Sequence, residues 1–208
     1  MTDHYFSSST APTSDELIPV TMEVRGRTFD MVTADRVFSS HRLDTGTKAL
    51  LTEIAAPTGG RILDLGCGWG PIAVSLASEC PDCEIWAVDI NKRALALTSK
   101  NAKRNNCPQI RVMEADIALE TALKNGVTFD SIWSNPPVRI GKRALRQMLT
   151  AWLQLLSDDG TAWLVVARNL GADSLIKWLN IEGWQARKEH SKKGYRIISV
   201  RRTASSAT

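Results

Sequence analysis

Four consecutive residues, Ser134-Asn135-Pro136-Pro137, stand out in a chain of 208 for what they can and cannot donate. The prolines fix their own φ angles, and Asn135, preceding one of them, is driven into an extended conformation. Neither proline has an N–H to give, whereas Asn135 carries a carbonyl oxygen and an amide NH2. The outcome is a rigid corner rich in acceptors. It suits a planar exocyclic amine, such as that of guanine, whose lone pair is delocalised and weakly nucleophilic. Two N–H bonds held by Asn135 Oδ1 and the Pro136 carbonyl would pull that nitrogen toward tetrahedral and aim its lone pair. Attack on an electrophilic carbon then needs positioning and electrostatics more than a strong base. Asn135, Pro136 and Pro137 are therefore the catalytic candidates. An isolated Asn-Pro-Pro reads more simply as a strand-ending turn, so its place in the chain decides.

A second concentration lies upstream, in Leu63-Asp64-Leu65-Gly66-Cys67-Gly68-Trp69-Gly70. Glycines at a strand-to-helix turn let a ligand approach the backbone closely. Alone the turn is a weak signal, and Gly68-Trp69-Gly70-Pro71-Ile72-Ala73 even fits the loose dinucleotide fingerprint G-x-G-x-x-A. Asp64 argues against a dinucleotide, because a carboxylate there would repel a pyrophosphate seated over the helix N-terminus. The same carboxylate suits the ammonium group of a methionine moiety, and S-adenosylmethionine is a cationic sulfonium without phosphates. Asp89 lies 23 residues after Gly66, the reach expected of a carboxylate that accepts ribose hydroxyls, with Ile90 beside the adenine. Asp116 falls where it could accept from the adenine amino group, though capping a helix would use it equally well. The expected cofactor set is Asp64, Gly66, Gly68, Gly70, Asp89, Ile90, Asp116 and Asn135.

What positions these residues is a regular alternation after Gly60. Apolar strand-like runs at Arg61–Leu65, Glu84–Val88, Gln109–Met113, Ser131–Trp133 and Ala162–Val166 are separated by helix-like stretches. The helical stretches are Ile72–Ser78, Lys92–Lys103, Arg143–Leu156 and Ser174–Leu179. Short continuous apolar strands alternating with helices predict a parallel sheet covered on both faces. Trp184–Glu189 and Tyr195–Arg201, joined by Ser191-Lys192-Lys193-Gly194, predict an antiparallel hairpin at its edge. Upstream, residues 1–57 read as a strap, a hairpin around Arg25-Gly26-Arg27 and a helix capped at Asp44-Thr45. Residues 58–202 make the core of what reads as one domain, and residues 203–208 a disordered tail. The class is α/β, doubly wound, with the glycine turn, Asp89, Asp116 and Asn135 at successive strand ends on one side. That side is where open sheets bind ligands.

Composition excludes several classes. Hydrophobic residues at 43% and charged residues at 23% are ordinary for a globular protein. No run reaches the ~18 apolar residues of a membrane span, and the start has no secretory pattern, so a soluble cytoplasmic protein is expected. Cys80-Pro81-Asp82-Cys83 has metal-like spacing, but one pair without histidine partners does not make a zinc site. No metal is expected, and the four cysteines, Cys67, Cys80, Cys83 and Cys107, read as free thiols. Charge is uneven: residues 1–60 carry 5 Lys and Arg against 8 Asp and Glu, and residues 139–208 carry 13 against 5. An excess of that size suits a polyanion, although a solvated basic surface would look the same. Arg139, Lys142, Arg143, Arg168, Lys192, Lys193 and Arg196 are the candidate phosphate contacts. Among the seven tryptophans, Trp133 and Trp163 belong in the core, and Trp69 either packs or borders the cofactor.

Taken together, Asp64-Leu-Gly-Cys-Gly-Trp-Gly, Asp89 and Asn135-Pro-Pro resemble the class I methyltransferases that modify amino nitrogens. More narrowly, the chain resembles small methyltransferases related to the catalytic half of 16S ribosomal RNA guanine-N2 methyltransferases. The matching pieces run nearly end to end. They include His4-Tyr5-Phe6-Ser7, Val37-Phe38-Ser39, Leu43-Asp44-Thr45-Gly46-Thr47, Asn101-Ala102, Asn135 to Lys142, Asn169 to Ala172 and Lys193 to Arg196. The resemblance implies a Rossmann-like seven-stranded methyltransferase sheet, S-adenosylmethionine as cofactor, and ribosomal RNA or the small ribosomal subunit as partner. The target base would be single-stranded or flipped out. Two departures stand out. Val138 replaces the aromatic residue many amino methyltransferases use to stack the base, leaving Phe38 as the candidate. Arg36 stands where relatives usually have Gly. Three other functions fit parts of the pattern: methylation of a protein glutamine, an inactive RNA-binding module, and an NAD-dependent reductase.

Overall fold

The computed structural model describes residues 10–137 and 140–203. His4 to Ser7, Val138, Arg139 and residues 204–208 of the expected tail lie outside them. Strands β1 (Ile18–Val24) and β2 (Arg27–Thr33) form a separate hairpin, followed by α1 (Thr45–Glu53). Five parallel strands alternate with helices: β3 (Arg61–Leu65), α2 (Pro71–Glu79), β4 (Glu84–Asp89), α3 (Lys92–Arg104), β5 (Ile110–Glu114), α4 (Ala115–Asn125), β6 (Phe129–Ser134), α5 (Lys142–Leu153) and β7 (Leu156–Ala167). The chain then forms α6 (Ala172–Ile181), β8 (Trp184–Lys192) and β9 (Tyr195–Arg202). The seven-stranded sheet has the order β5-β4-β3-β6-β7-β9-β8. Strand β9 is antiparallel to both neighbours. The order reverses direction between β3 and β6, which creates the switch point where a ligand crevice opens.

Strict alternation along each strand divides the interior into two cores. Ile62, Ile85, Ala87, Trp133, Val165 and Ile197 face one side, with Leu50 of α1, Leu76 of α2, Leu97 of α3 and Met22 of the hairpin. Leu63, Trp86, Val88, Ile132, Leu164 and Ile198 face the other, with Ala118 of α4, Leu149 of α5 and Leu179 of α6. The period-two pattern is what lets one sheet bury both surfaces. Among the described residues no helix is long and apolar enough to cross a membrane.

The hairpin is fastened to the core by polar groups. Asn101, fully buried on α3, accepts from Val32 N–H at 2.7 Å and donates to the carbonyls of Val32 and Trp69, each at 2.7 Å. Arg25 ties the hairpin turn to Glu79 and to the carbonyls of Leu51 and Ile54 at the end of α1. Both hairpins use two-residue turns with positive φ at each central residue, Arg25-Gly26 and Lys193-Gly194, as type I′ geometry requires.

Four expectations are corrected. Helix α5 ends at Leu153 rather than Leu156, because Leu156 pairs with Phe129 and accepts from Arg202, and so joins β7. Helix α4 had no place in the sequence reading; it buries only Ala118 and Ala122, too narrow a stripe to register as a period. The C-terminal hairpin turns on Lys193-Gly194 alone, Ser191 and Lys192 being strand residues paired with β9. Cys80 and Cys83 are not free thiols: the Cys-Pro-Asp-Cys turn between α2 and β4 brings their Cα atoms to 5.3 Å, and they form a disulfide. Cys67 and Cys107 are free and buried.

Candidate active site

Strand β3 delivers Asp64 into the interior, where the side chain is fully buried. Its Oδ2 accepts from the Ala73 N–H in the first turn of α2, at 3.0 Å. Its Oδ1 is buried without a hydrogen-bond partner among the described residues. Burial, and secondarily the nearby Asp89, pushes this carboxyl up to about 8. A buried oxygen with an unspent lone pair beside a second carboxylate is a seat for a cation.

The glycine turn from β3 to α2 works differently from a phosphate cradle. The N–H groups of Gly66 and Cys67 both donate to the Val88 carbonyl, Gly68 N–H donates to Asp89 Oδ2 at 2.9 Å, and Gly70 N–H to the Cys67 carbonyl. The donors that would hold a pyrophosphate are spent internally. What the glycines supply is an open surface, since nothing lies within 4 Å of a Cβ built at Gly66 or Gly68. Gly70 has φ 90° and leads into Pro71, the first residue of α2. Asp89, at the end of β4, uses its other oxygen to accept from Asn91 N–H at 2.9 Å. Burial raises its carboxyl above the ordinary range. With these backbone bonds and one from Ile90, the carboxylate still has acceptor capacity for a hydroxyl. Ile90 beside it is 60% exposed, an apolar face turned outward at the position expected for a flat heterocycle. Asp116 lies exposed in the first turn of α4, beside the exposed Ile117, and caps nothing.

At the end of β6, Ser134 Oγ donates to the Leu65 carbonyl at 2.7 Å, joining the corner to the glycine turn. Asn135 is held by the N-cap and first turn of α1. Its Nδ2 donates to Asp44 Oδ2 at 2.8 Å and to Thr47 Oγ1 at 3.0 Å. Asp44 Oδ2 also accepts from Thr47 N–H at 2.9 Å, capping α1. Both amide hydrogens are therefore committed, and Oδ1 is the atom left for a ligand. The Pro137 carbonyl accepts from Ile140 N–H at 3.0 Å, while no described group donates to the Pro136 carbonyl. Among the described residues the corner offers two acceptors and no donor, because both Asn135 amide hydrogens are spent.

Phe38, half exposed, lies with Thr47, Gly66, Gly68, Trp69 and Asn135 around one cleft. The segment that carries it, between β2 and α1, turns through Arg36 at φ 65°, a left-handed conformation that glycine adopts without strain. Arg93 donates to the Asp35 carbonyl at 3.0 Å and Asn91 to the Arg36 carbonyl at 3.2 Å, fastening this segment to the start of α3. Trp69 is buried and lines the cleft as well; Trp133 is fully buried, and Trp163 partly so.

The basic candidates separate. Lys142 and Arg143 are exposed at the start of α5 and open a groove of about 610 Å³ between α5 and α6, which Arg146 and Trp178 also line. Arg168 and Lys193 are exposed near the same end of the sheet. Lys192 is instead paired with Glu53, and Arg196 with Asp173 at 3.6 Å. Among the described residues no group of three His, Cys, Asp or Glu forms a metal cluster.

The family model of the methyltransferase small domain matches residues 28–199. The uncharacterized protein YbxB of Bacillus subtilis (strain 168) is 32% identical over 203 residues, covering 97% of this chain and all of that protein. A ribosomal RNA small subunit methyltransferase C from Shewanella loihica is 37% identical over 148 residues, 68% of this chain and 41% of the relative. The chain thus spans less than half the length of that named enzyme. Among solved structures, T. thermophilus RsmC, a 16S rRNA N2 methyltransferase in complex with AdoMet and guanosine, superposes with a TM-score of 0.75 at 20% identity. That match covers 92% of this chain and 52% of the other. A ribosomal protein L11 methylase from Lactobacillus delbrueckii subsp. bulgaricus matches with a TM-score of 0.62 at 17% identity, covering 88% and 99%. The two structures share the fold while their names differ in substrate. The chain belongs to the methyltransferase small-domain family.

Proposed function

We propose that this member of the methyltransferase small-domain family methylates the exocyclic amine of a guanine in ribosomal RNA, free or within the small ribosomal subunit. The observation that carries the reading is the donor-free corner: Asn135 Oδ1 and the Pro136 carbonyl are both unspent. Two acceptors on consecutive residues suit a group with two hydrogens to give, which is a primary amine and not a ring nitrogen or a carbonyl. Holding both N–H bonds draws the nitrogen lone pair out of conjugation and fixes its direction.

The residues present fit the cofactor. Asp64 Oδ1 is a buried acceptor for an ammonium group, Asp89 has capacity for hydroxyls, and Ile90 is an exposed apolar face. When bound there, S-adenosylmethionine supplies an activated methyl group on a sulfonium. The chain's part is orientation: Asn135 and Pro136 hold the amine in the cleft that Phe38 borders, and no side chain need act as base. The proton of the alkylated amine is acidic enough to pass to water.

Ribosomal RNA as the acceptor is supported by the names of the curated relatives and by the exposed cations Lys142, Arg143, Arg168 and Lys193 around the strand ends. The test is Asn135→Ala, which should leave cofactor affinity within a few-fold and abolish transfer. Retained turnover would sink the role of the corner. Labelling ribosomal RNA and protein substrates side by side with tritiated cofactor tests the acceptor, and label found only in protein overturns the RNA reading.

A further inference from the structure

Asn135 could in principle present either end of its amide to a substrate. An asparagine flips between two nearly isosteric orientations, and only surrounding hydrogen bonds decide which is populated. Here the decision is made from across the fold. Asp44 and Thr47 belong to the start of α1, 91 and 88 residues earlier in the chain, and both accept from Asn135 Nδ2. Rotating the amide by half a turn would place Oδ1 against the Asp44 carboxylate and leave the NH2 facing the cleft. That orientation loses a charge-assisted hydrogen bond and gains a repulsion.

The local packing keeps Asp44 in place. Thr47 N–H fixes Oδ2 from the helix side. Tyr195, at the start of β9, packs against Gly46, where a Cβ would come within 2.6 Å of its ring. Burial, with Asp44 as the second cause, raises the Tyr195 phenol, which locates the ring beside the carboxylate. The cap of α1 needs none of this: a serine would cap as well.

We propose that Asp44 is a positioning residue for methyl transfer, pinning the Asn135 amide through Nδ2 so that Oδ1 alone faces the acceptor amine. Its negative charge, one residue removed from the amine, also opposes the positive charge that appears on nitrogen as the methyl arrives. This role rests on the proposed amine-acceptor reading of the corner.

The comparison that tests it uses the fact that Asp, Asn and Ser cap helices about equally. Asp44→Asn can still present an oxygen where Oδ2 sits; Asp44→Ser cannot reach Asn135. Both variants should keep the melting temperature and cofactor affinity of the wild type. The kcat of Asp44→Ser should fall about a hundredfold, the scale of a misplaced reacting group, with Asp44→Asn restoring most of the loss. Wild-type kcat in Asp44→Ser overturns the proposal and leaves only a cap. Equal losses in both variants overturn it in favour of charge alone. A second readout needs no substrate: the side-chain amide protons of Asn135, followed by nitrogen-15 NMR, should be protected from exchange in the wild type and exposed in Asp44→Ser. Free exchange in the wild type overturns the proposal whatever the enzyme methylates. Protected protons in a protein that labels no RNA would instead refute the RNA assignment and leave the pinning intact.

Discussion

Asp64 makes cofactor affinity a function of pH in a way that can be worked out in advance. In the protein alone its carboxyl is pushed to about 8, from 3.8 for a free aspartate, chiefly by burial. At about 1.4 kcal/mol per pH unit, ionising it costs on the order of 5 kcal/mol more than in water. Near pH 6 roughly one protein in a hundred has the carboxylate form. An ammonium group seated against Oδ1 requires that form, so binding must expel the proton. Affinity for S-adenosylmethionine should therefore rise nearly tenfold per pH unit up to about pH 7 and level off toward pH 8. The free amino group of the ligand itself titrates at about 7.7–8.0. Above pH 8 the ligand loses the proton that the complex retains, and affinity turns downward. Isothermal titration in buffers of different ionisation enthalpy should show about one proton released per binding event below the maximum and uptake above it. Asp64→Asn should bind weakly and without the acid limb. A flat affinity across pH 6 to 8 with no proton exchange would refute the seat assigned to Asp64.

The same carboxyl bears on stability. The folded chain holds its proton up to about pH 8 and the unfolded chain only to 3.8, so stability of the cofactor-free protein should fall as pH rises between those values. Thermal melts of wild type and Asp64→Asn test this, the variant lacking that slope. Asn101→Ala strips partners from Val32 and Trp69 in the interior and should cost roughly 2–4 kcal/mol in denaturant melts. The donor-free corner predicts a monomethylated product, because an amine carrying one methyl has a single N–H left for two acceptors. Mass spectrometry of nucleosides from labelled RNA reads this directly, and abundant dimethylated product would contradict it. Removing Lys142, Arg143 and Arg146 together should weaken RNA binding and flatten its salt dependence by roughly 0.7–0.9 per lost phosphate contact. An unchanged slope would place the RNA elsewhere.

Sequence made the sheet legible because its strands are short, apolar and separated by helices with clear stripes or caps. It hid α4, whose inward face is two alanines, and the start of β7, where Leu156 continues the apolar pattern of α5. Asp64, Gly66, Asp89 and Asn135 could be placed at strand ends because adjacent parallel strands bring their ends together. The bond from Asp44 to Asn135 was not legible, since nothing local links positions 91 residues apart. The only hint was that Leu43-Asp44-Thr45-Gly46-Thr47 carried more polar and glycine residues than a helix cap needs. Neither could spacing tell that Lys192 and Arg196 would find Glu53 and Asp173. Such ion pairs depend on tertiary neighbours.

Strand β9 sits between β7 and β8 although it follows both in the chain. On the ribosome, β7 and β8 therefore emerge before the strand that separates them, each with an uncovered edge. Residues 195–202 close the sheet and bring Tyr195 to the wall behind Asp44. A polypeptide released before those residues are made is not a smaller version of the enzyme. It carries open edges that invite pairing with other chains, and it lacks one side of its own catalytic corner. Completion of the candidate site thus waits on the synthesis of residues 195–202.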